Sequence, residues 1–336
     1  MRNATRNSSR KLRVAIINDY QDVVRTLDCF SKLEGHDVSI WTDIVADVDV
    51  LADRLSDADV LVLMRERTRV GEDLLSRLPN LKLISQNGHI PHIDLGACDR
   101  HGVIVSSAVT ARPSYSTVEL TWGLIIAAMR NIPFETASLR QGHWQTTIGL
   151  GLRGRVLGIY GFGRLGSMVA QIGRAFGMEV LVWGRQGSLA RAQSEGFKTA
   201  SDRATLFRLS DVLSLHLRLT AETAGAIGPD DLALMKPTAL LVNTSRAELI
   251  QPGALVAALK SGSPGKAAID VFEREPLTDA ADALLGLPNA LCTPHLGYVE
   301  RDNYEFAYGN AFDQIVAFAE GNPINVHSVH DLRQDH

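Results

Sequence analysis

Cysteine is scarce in this chain. The three present, Cys29, Cys98 and Cys292, are odd in number, far apart and without metal-ligand spacing. That argues against a disulfide framework, and no metal is expected. Long apolar runs are also missing. The longest, Leu120 to Met129, falls well short of the ~20 residues of a membrane span and reads as a short buried helix. The first ten residues are polar and basic with no apolar centre. They resemble neither a secretory signal nor an anchor, so a disordered tail and a cytoplasmic location are expected. An excess of charge of one sign is lacking, since the net is only −4, so neither nucleic acid nor a membrane is expected as a partner.

What is present suits two ordinary globular domains: 336 residues, 45% hydrophobic and 21% charged. The centre of the chain is residues 156 to 185. Val156 to Tyr160 reads as a buried strand, and the turn Gly161-Phe162-Gly163-Arg164-Leu165-Gly166 follows. A helix comes next, with Leu165, Val169, Ile172 and Phe176 at three- or four-residue spacing, then a strand at Val180 to Trp183. In a strand-turn-helix, Gly161 permits the turn, Gly163 lets a pyrophosphate approach the backbone, and Gly166 allows close helix–strand packing. The N–H groups of Arg164 and Leu165 at the helix start would face the phosphates.

Strands and helices alternate on both sides of this unit, which implies parallel sheets covered on both faces. Before it, strands are expected near residues 12–17, 38–41, 60–64, 81–85 and 103–106, with helices near 22–30, 48–56, 72–78 and 94–101. Residues 107 to 116 read as a loop around Pro113, Ser116 and Glu119 as a capping box, and Thr117 to Arg130 as an apolar helix. Residues 131 to 155 show few regular signals. Trp144 and Ile148 exposed on such an arm would suggest a subunit contact. After it, strand ends at Asn243, Asp270 and Cys292 place polar residues where open parallel sheets bind ligands. A last helix spans Asp302 to Ala319, with Asp302 and Glu305 spaced as cap and partner.

Four blocks in order, Gly161-Phe162-Gly163-x-x-Gly166, Val242-Asn243-Thr244-Ser245-Arg246, Asp270-Val271-Phe272-x-x-Glu275-Pro276 and Thr293-Pro294-His295-x-Gly297, resemble the D-isomer-specific 2-hydroxyacid dehydrogenases. Weaker similarity extends from Val14 to about Ala319. The expected fold is α/β: two doubly wound parallel-sheet domains, a Rossmann NAD(P)-binding domain inserted into a flavodoxin-like substrate domain. The expected boundaries are 1–112 with 299–336 for the substrate domain and 113–298 for the cofactor domain, with the active site in the cleft. The resemblance implies NAD(P)-dependent interconversion of a 2-oxo acid and a D-2-hydroxy acid, and a homodimer through the cofactor domain. Phosphoglycerate dehydrogenase and glyoxylate or hydroxypyruvate reductase are the candidate activities. No appended serine-sensing domain is expected.

Ketone reduction needs a hydride donor, a proton donor and a grip on the carboxylate. His295 is the expected acid, because imidazole titrates near neutral pH. Glu275 would fix its tautomer. Arg246 offers a donor fork to carboxylate and carbonyl, and would stabilise the developing alkoxide. By resemblance, Asp270 binds the nicotinamide carboxamide, Thr244 and Ser245 line the nicotinamide side, and His216 and Gly297 meet the cofactor. The family often has proline two residues after that histidine; here it is Arg218. Asn87, Gly88 and His89 match the loop whose backbone holds the substrate carboxylate, and Arg65 matches a further substrate contact in some members. Gly184-Arg185 ends the second strand where an acidic residue usually binds the adenosine ribose, so NADP(H) acceptance is expected. Two alternatives stand: a formate dehydrogenase, which pairs its histidine with glutamine instead, and a dinucleotide-sensing, corepressor-like binding protein.

Overall fold

A computed structural model describes residues 11–108 and 115–329. The expected N-terminal tail and most of the loop around Pro113 lie outside the described residues. The chain divides into two compact units, Met1–Pro113 with Glu300–His336, and Ser114–Val299.

The first unit opens with five parallel strands, β1 (Arg13–Ile16), β2 (Asp37–Ile40), β3 (Val60–Val62), β4 (Leu83–Asn87) and β5 (Ile104–Ala108), and helices α1 (Val48–Leu55), α2 (Glu72–Leu75) and α3 (Leu95–Arg100). Asp47 caps α1 by accepting the Asp49 and Val50 N–H groups, and Asp94 caps α3 through Ala97. A helix is predicted over 22–30, but two 3-10 turns form instead, Val24–Thr26 and Asp28–Leu33. Donors of this segment go to side chains outside it, one close in sequence and one far. Asp19 accepts the Val23 and Val24 N–H groups at 3.1 and 3.0 Å, and Glu305 accepts those of Asp28 and Cys29 at 2.7 and 3.0 Å. Leu27 between them is extended, which breaks any continuous ladder.

The second unit starts with α4 (Ser116–Met129) and α5 (Ile132–Arg140) and continues β6 (Val156–Tyr160), α6 (Arg164–Ala175), β7 (Glu179–Trp183), α7 (Gln186–Ser194), β8 (Lys198–Thr199), α8 (Arg203–Leu209), β9 (Val212–Leu215), α9 (Pro229–Ala233), β10 (Leu240–Asn243), α10 (Ala254–Ser261), β11 (Lys266–Ile269) and β12 (Ala290–Cys292). The strand order is β12-β11-β10-β9-β6-β7-β8, parallel throughout. The order reverses between β6 and β9, the switch point at which such sheets bind dinucleotides. The helix α4 packs on α6 and on β10 and β11. It begins at Ser116 with no side-chain cap, so the expected capping box does not form. Of the stretch after it, residues 132–140 form a helix and 141–155 hold no helix or strand. Asn131 turns left-handed at φ 53°, and Pro133 falls in the first turn of α5, where its missing N–H costs nothing.

The chain then returns to the first unit as α11 (Arg301–Ala319) and β13 (Val326–His327). The first sheet reads β13-β5-β4-β3-β1-β2, with β13 antiparallel to β5. Its parallel part is thus the doubly wound 2-1-3-4-5 order. The helix α11 buries Tyr304, Ala307, Tyr308, Ala311, Phe312 and Ile315 and packs on β4. Its cap is Glu300, which accepts the Asp302 and Asn303 N–H groups, not Asp302 as the spacing predicts. No helix among the described residues is long and apolar enough to cross a membrane.

Candidate active site

The three glycines of the central turn do different work. Gly161 has φ +96°, and a Cβ there would lie 2.6 Å from the His216 carbonyl oxygen. A Cβ on Gly166 would lie 2.1 Å from the Gly161 carbonyl oxygen. Both positions are closed to any side chain by packing. Gly163 faces open space, and no side chain caps α6, which starts immediately after it. An open approach to an uncapped helix start, at the switch point of the sheet, fits a dinucleotide pyrophosphate. Leu165 packs on the core below, and Arg164 opens the helix.

The candidate catalytic residues follow the ends of β10, β11 and β12. His295 is left-handed, φ 51° and ψ 54°, and its Nδ1 lies 2.5 Å from Glu275 Oε2. The other Glu275 oxygen accepts the Phe272 N–H at 2.9 Å, so the carboxylate is aimed by its own turn. Burial alone would raise the Glu275 pKa. The bond to His295, the Phe272 N–H and the positive charge of Arg246 outweigh it and hold the carboxyl below its ordinary range. The Tyr298 ring meets the imidazole edge-on at 5.3 Å.

Asp270 is fully buried. Its Oδ1 accepts from Thr293 Oγ1 at 2.6 Å and from the Leu296 N–H at 2.7 Å, and its Oδ2 accepts the Gly297 N–H at 2.8 Å. Its bonds therefore run to the segment that bears His295. Gly297 is fixed again from the other side, where Thr117 Oγ1 donates to its carbonyl at 2.7 Å. Thr244 Oγ1 shares a hydrogen with Thr121 Oγ1 at 2.8 Å, Ser245 Oγ donates to the Leu217 carbonyl at 2.6 Å, and Arg246 Nη1 donates to the Ser245 carbonyl at 2.7 Å. A cavity of about 390 Å³ lies between α10 and residues 271–284, lined among others by Leu255, Phe272, Pro276 and Leu284, and none of Arg246, Glu275 and His295 lines it.

His216 bonds to Ser214 Oγ through Nε2 at 2.9 Å, and burial pushes its pKa down to about 4. Its backbone carbonyl and Cβ pack against Gly161 and Gly166 of the glycine turn. At the end of β7, Gly184 packs beside Gly161, and Arg185 donates to Glu222 Oε2 at 3.2 Å with both side chains largely exposed. The strand itself ends without a carboxylate, as its sequence states, yet the segment after β9 brings one to the arginine. Sequence proximity gives no sign of that pairing.

In the first unit, Arg65 follows β3 with φ 60°, and Gly88 follows β4 with φ +113°. Arg65 Nη1 is 4.0 Å from where a Gly88 Cβ would stand. Asn87 Oδ1 accepts from Asn310 Nδ2 at 2.8 Å, and the His89 carbonyl from Gln86 Nε2 at 2.8 Å. Among the described residues there is no cluster of His, Cys, Asp and Glu able to hold a metal ion.

Comparison with known proteins agrees with this architecture. The family model for the D-isomer specific 2-hydroxyacid dehydrogenase NAD binding domain matches residues 122–297. The glyoxylate reductase of Aeropyrum pernix is 36% identical over 308 residues, 88% of this chain and 90% of that protein. The D-3-phosphoglycerate dehydrogenase of Methanocaldococcus jannaschii is 38% identical over 281 residues, 83% of this chain but 52% of that protein. The chain thus spans about half the length of that relative. Among solved structures, an oxidoreductase from Ralstonia solanacearum superposes with TM-score 0.90 at 49% identity, covering 94% of this chain and 96% of that one. A phosphoglycerate oxidoreductase from Vibrio cholerae o395 gives 0.88 at 47%, covering 92% and 99%. The class is that of NAD-dependent oxidoreductases built from two parallel-sheet α/β domains. Within it, the chain belongs to the D-isomer-specific 2-hydroxyacid dehydrogenase family.

Proposed function

We propose that this chain interconverts a 2-oxo acid and a D-2-hydroxy acid, with His295, Glu275 and Arg246 as its catalytic residues. The observation that carries the reading is the 2.5 Å contact between His295 Nδ1 and Glu275 Oε2. It fixes the ring orientation and leaves Nε2 as the nitrogen that gives a proton to the carbonyl oxygen. Bound nicotinamide would supply the hydride. Arg246 grips the carboxylate and stabilises negative charge growing on the carbonyl oxygen. The Asn87-Gly88-His89 loop and Arg65 are the proposed substrate contacts of the first unit. Gly161, Gly163, Arg164, Leu165 and Gly166 take the pyrophosphate. Arg185 accepts a 2′-phosphate, so NADP(H) is used as well as NAD(H).

The relatives' names favour glyoxylate, hydroxypyruvate and 3-phosphohydroxypyruvate as substrates to try first. A homodimer through the second unit is supported by an ordered arm that exposes apolar side chains. Phe134 and Leu139 on α5 are 57% and 56% exposed, and Trp144 and Ile148 beyond it are 75% and 96% exposed. A panel of these 2-oxo acids with NADH and NADPH tests the activity, and His295→Gln should lower kcat/KM by about 10²–10⁴-fold. Tight dinucleotide binding without turnover of any 2-oxo acid would instead favour a dinucleotide-sensing protein.

A further inference from the structure

The loop after β4 rests on a buried set of polar side chains. Gln86 and Gln314 are both fully buried. Gln86 Nε2 donates to the His89 carbonyl at 2.8 Å, and Gln314 Nε2 donates to the Gln86 and Asn310 carbonyls, each at 3.1 Å. Ser107 Oγ, from β5, donates to the Gly88 carbonyl at 2.6 Å. The Oε1 atoms of Gln86 and Gln314 are buried with no partner among the described residues. An orphaned buried acceptor typically costs about 1–3 kcal/mol. Apolar side chains of similar volume would fill the space without that penalty, so packing alone does not account for the two amides.

Their N–H ends do. In a planar trans peptide, the carbonyl of one residue and the N–H of the next point to opposite sides. Ser107 fixes the Gly88 carbonyl, which turns the His89 N–H away from Ser107. Gln86 fixes the His89 carbonyl, which turns the Ile90 N–H away from Gln86. Neither N–H has a backbone acceptor among the described residues. Two adjacent backbone donors are thus held in direction and left available, and a carboxylate is a group that satisfies them.

We propose that Gln86 and Ser107, with Gln314 of α11 bracing Gln86, are positioning residues that aim the His89 and Ile90 N–H groups at the substrate carboxylate. The assignment rests on the proposed function, in which this loop holds the substrate. In the full-length protein with saturating dinucleotide, Ser107→Ala and Gln86→Leu should each raise KM for the best 2-oxo acid about tenfold, the scale of one lost hydrogen bond to a charged group. The fall in kcat should be smaller than the rise in KM, and KM for the dinucleotide should stay within about twofold, because no bond to it is removed. The Kd of oxamate, measured by calorimetry with NADH present, should weaken in parallel, and Ser107→Thr should restore both values. Ser107→Ala deletes one oxygen from a strand, so it reports even where Gln86→Leu does not fold. Parental KM and oxamate Kd in Ser107→Ala and in any folded Gln86→Leu would overturn the assignment while leaving the proposed activity standing. An unaltered protein that neither reduces a 2-oxo acid nor binds oxamate would overturn both.

Discussion

Asp270 and Gly297 are joined by a 2.8 Å hydrogen bond from the glycine N–H to the buried carboxylate. The other oxygen of that carboxylate holds Leu296 and Thr293, so one aspartate pins the chain on both sides of His295. A histidine at φ 51° is strained by roughly 1–2 kcal/mol and needs such an anchor. Asp270→Ala should therefore lower kcat by more than about tenfold and destabilise the second unit by roughly 2–3 kcal/mol, the scale of unsatisfied buried donors. Steady-state kinetics and denaturant unfolding read the two effects. Unchanged stability would mean that the three bonds do not constrain the loop.

On the proposed NADP(H) role of Arg185, its pairing with Glu222 sets a carboxylate in competition with a 2′-phosphate for one guanidinium. Arg185→Ala should weaken NADPH by about tenfold, the scale of one arginine–phosphate contact, and NADH much less. Glu222→Gln should strengthen NADPH a few-fold, as expected for an exposed ion pair. Titration with 2′,5′-ADP and 5′-ADP checks both without turnover. Equal responses of the two fragments would remove Arg185 from any role in discrimination.

The apolar arm is held firmly. Glu135 accepts from Thr146 and Thr147, through both backbone and hydroxyl groups. Trp144→Glu should leave this local structure intact and halve the mass measured by light scattering. A mass equal to that of the parent would exclude Trp144 from the proposed subunit contact.

His216 gives a pH signature. Its pKa in the folded chain is about 4, against an ordinary 6.5. Between these values the unfolded chain binds the extra proton, so stability falls as pH drops from 6.5 towards 4. The full effect is roughly 3 kcal/mol. His216→Gln should flatten that part of the stability curve relative to the parent, as read by urea midpoints at several pH values. Parallel curves would show that the ring is not held neutral.

The fold class was legible because strands buried on both faces read as apolar runs, and helices between them as regular stripes. The Gly161–Gly166 turn was legible for the same local reason. What escaped depends on partners far along the chain. Glu305 diverts the Asp28 and Cys29 donors from a helix. Glu222 meets Arg185 only after β9 has been laid beside β6. Gln86 and Gln314 read as ordinary polar residues until α11 covers β4. The helix α5 escaped for another reason: Pro133 in its first turn is a residue that starts one helix as readily as it stops another.

The first sheet is synthesised first and finished last. Its β4 strand gives its Ser85 hydroxyl to the Ala311 carbonyl, and its β5 edge is closed by Val326 and His327, all made after the whole of the second unit. During translation the β6–β12 domain can therefore mature while β1 to β5 still lack their covering helix. An apolar face then stays open on the ribosome for that interval, which makes the N-terminal third the part of this chain that most needs chaperone protection.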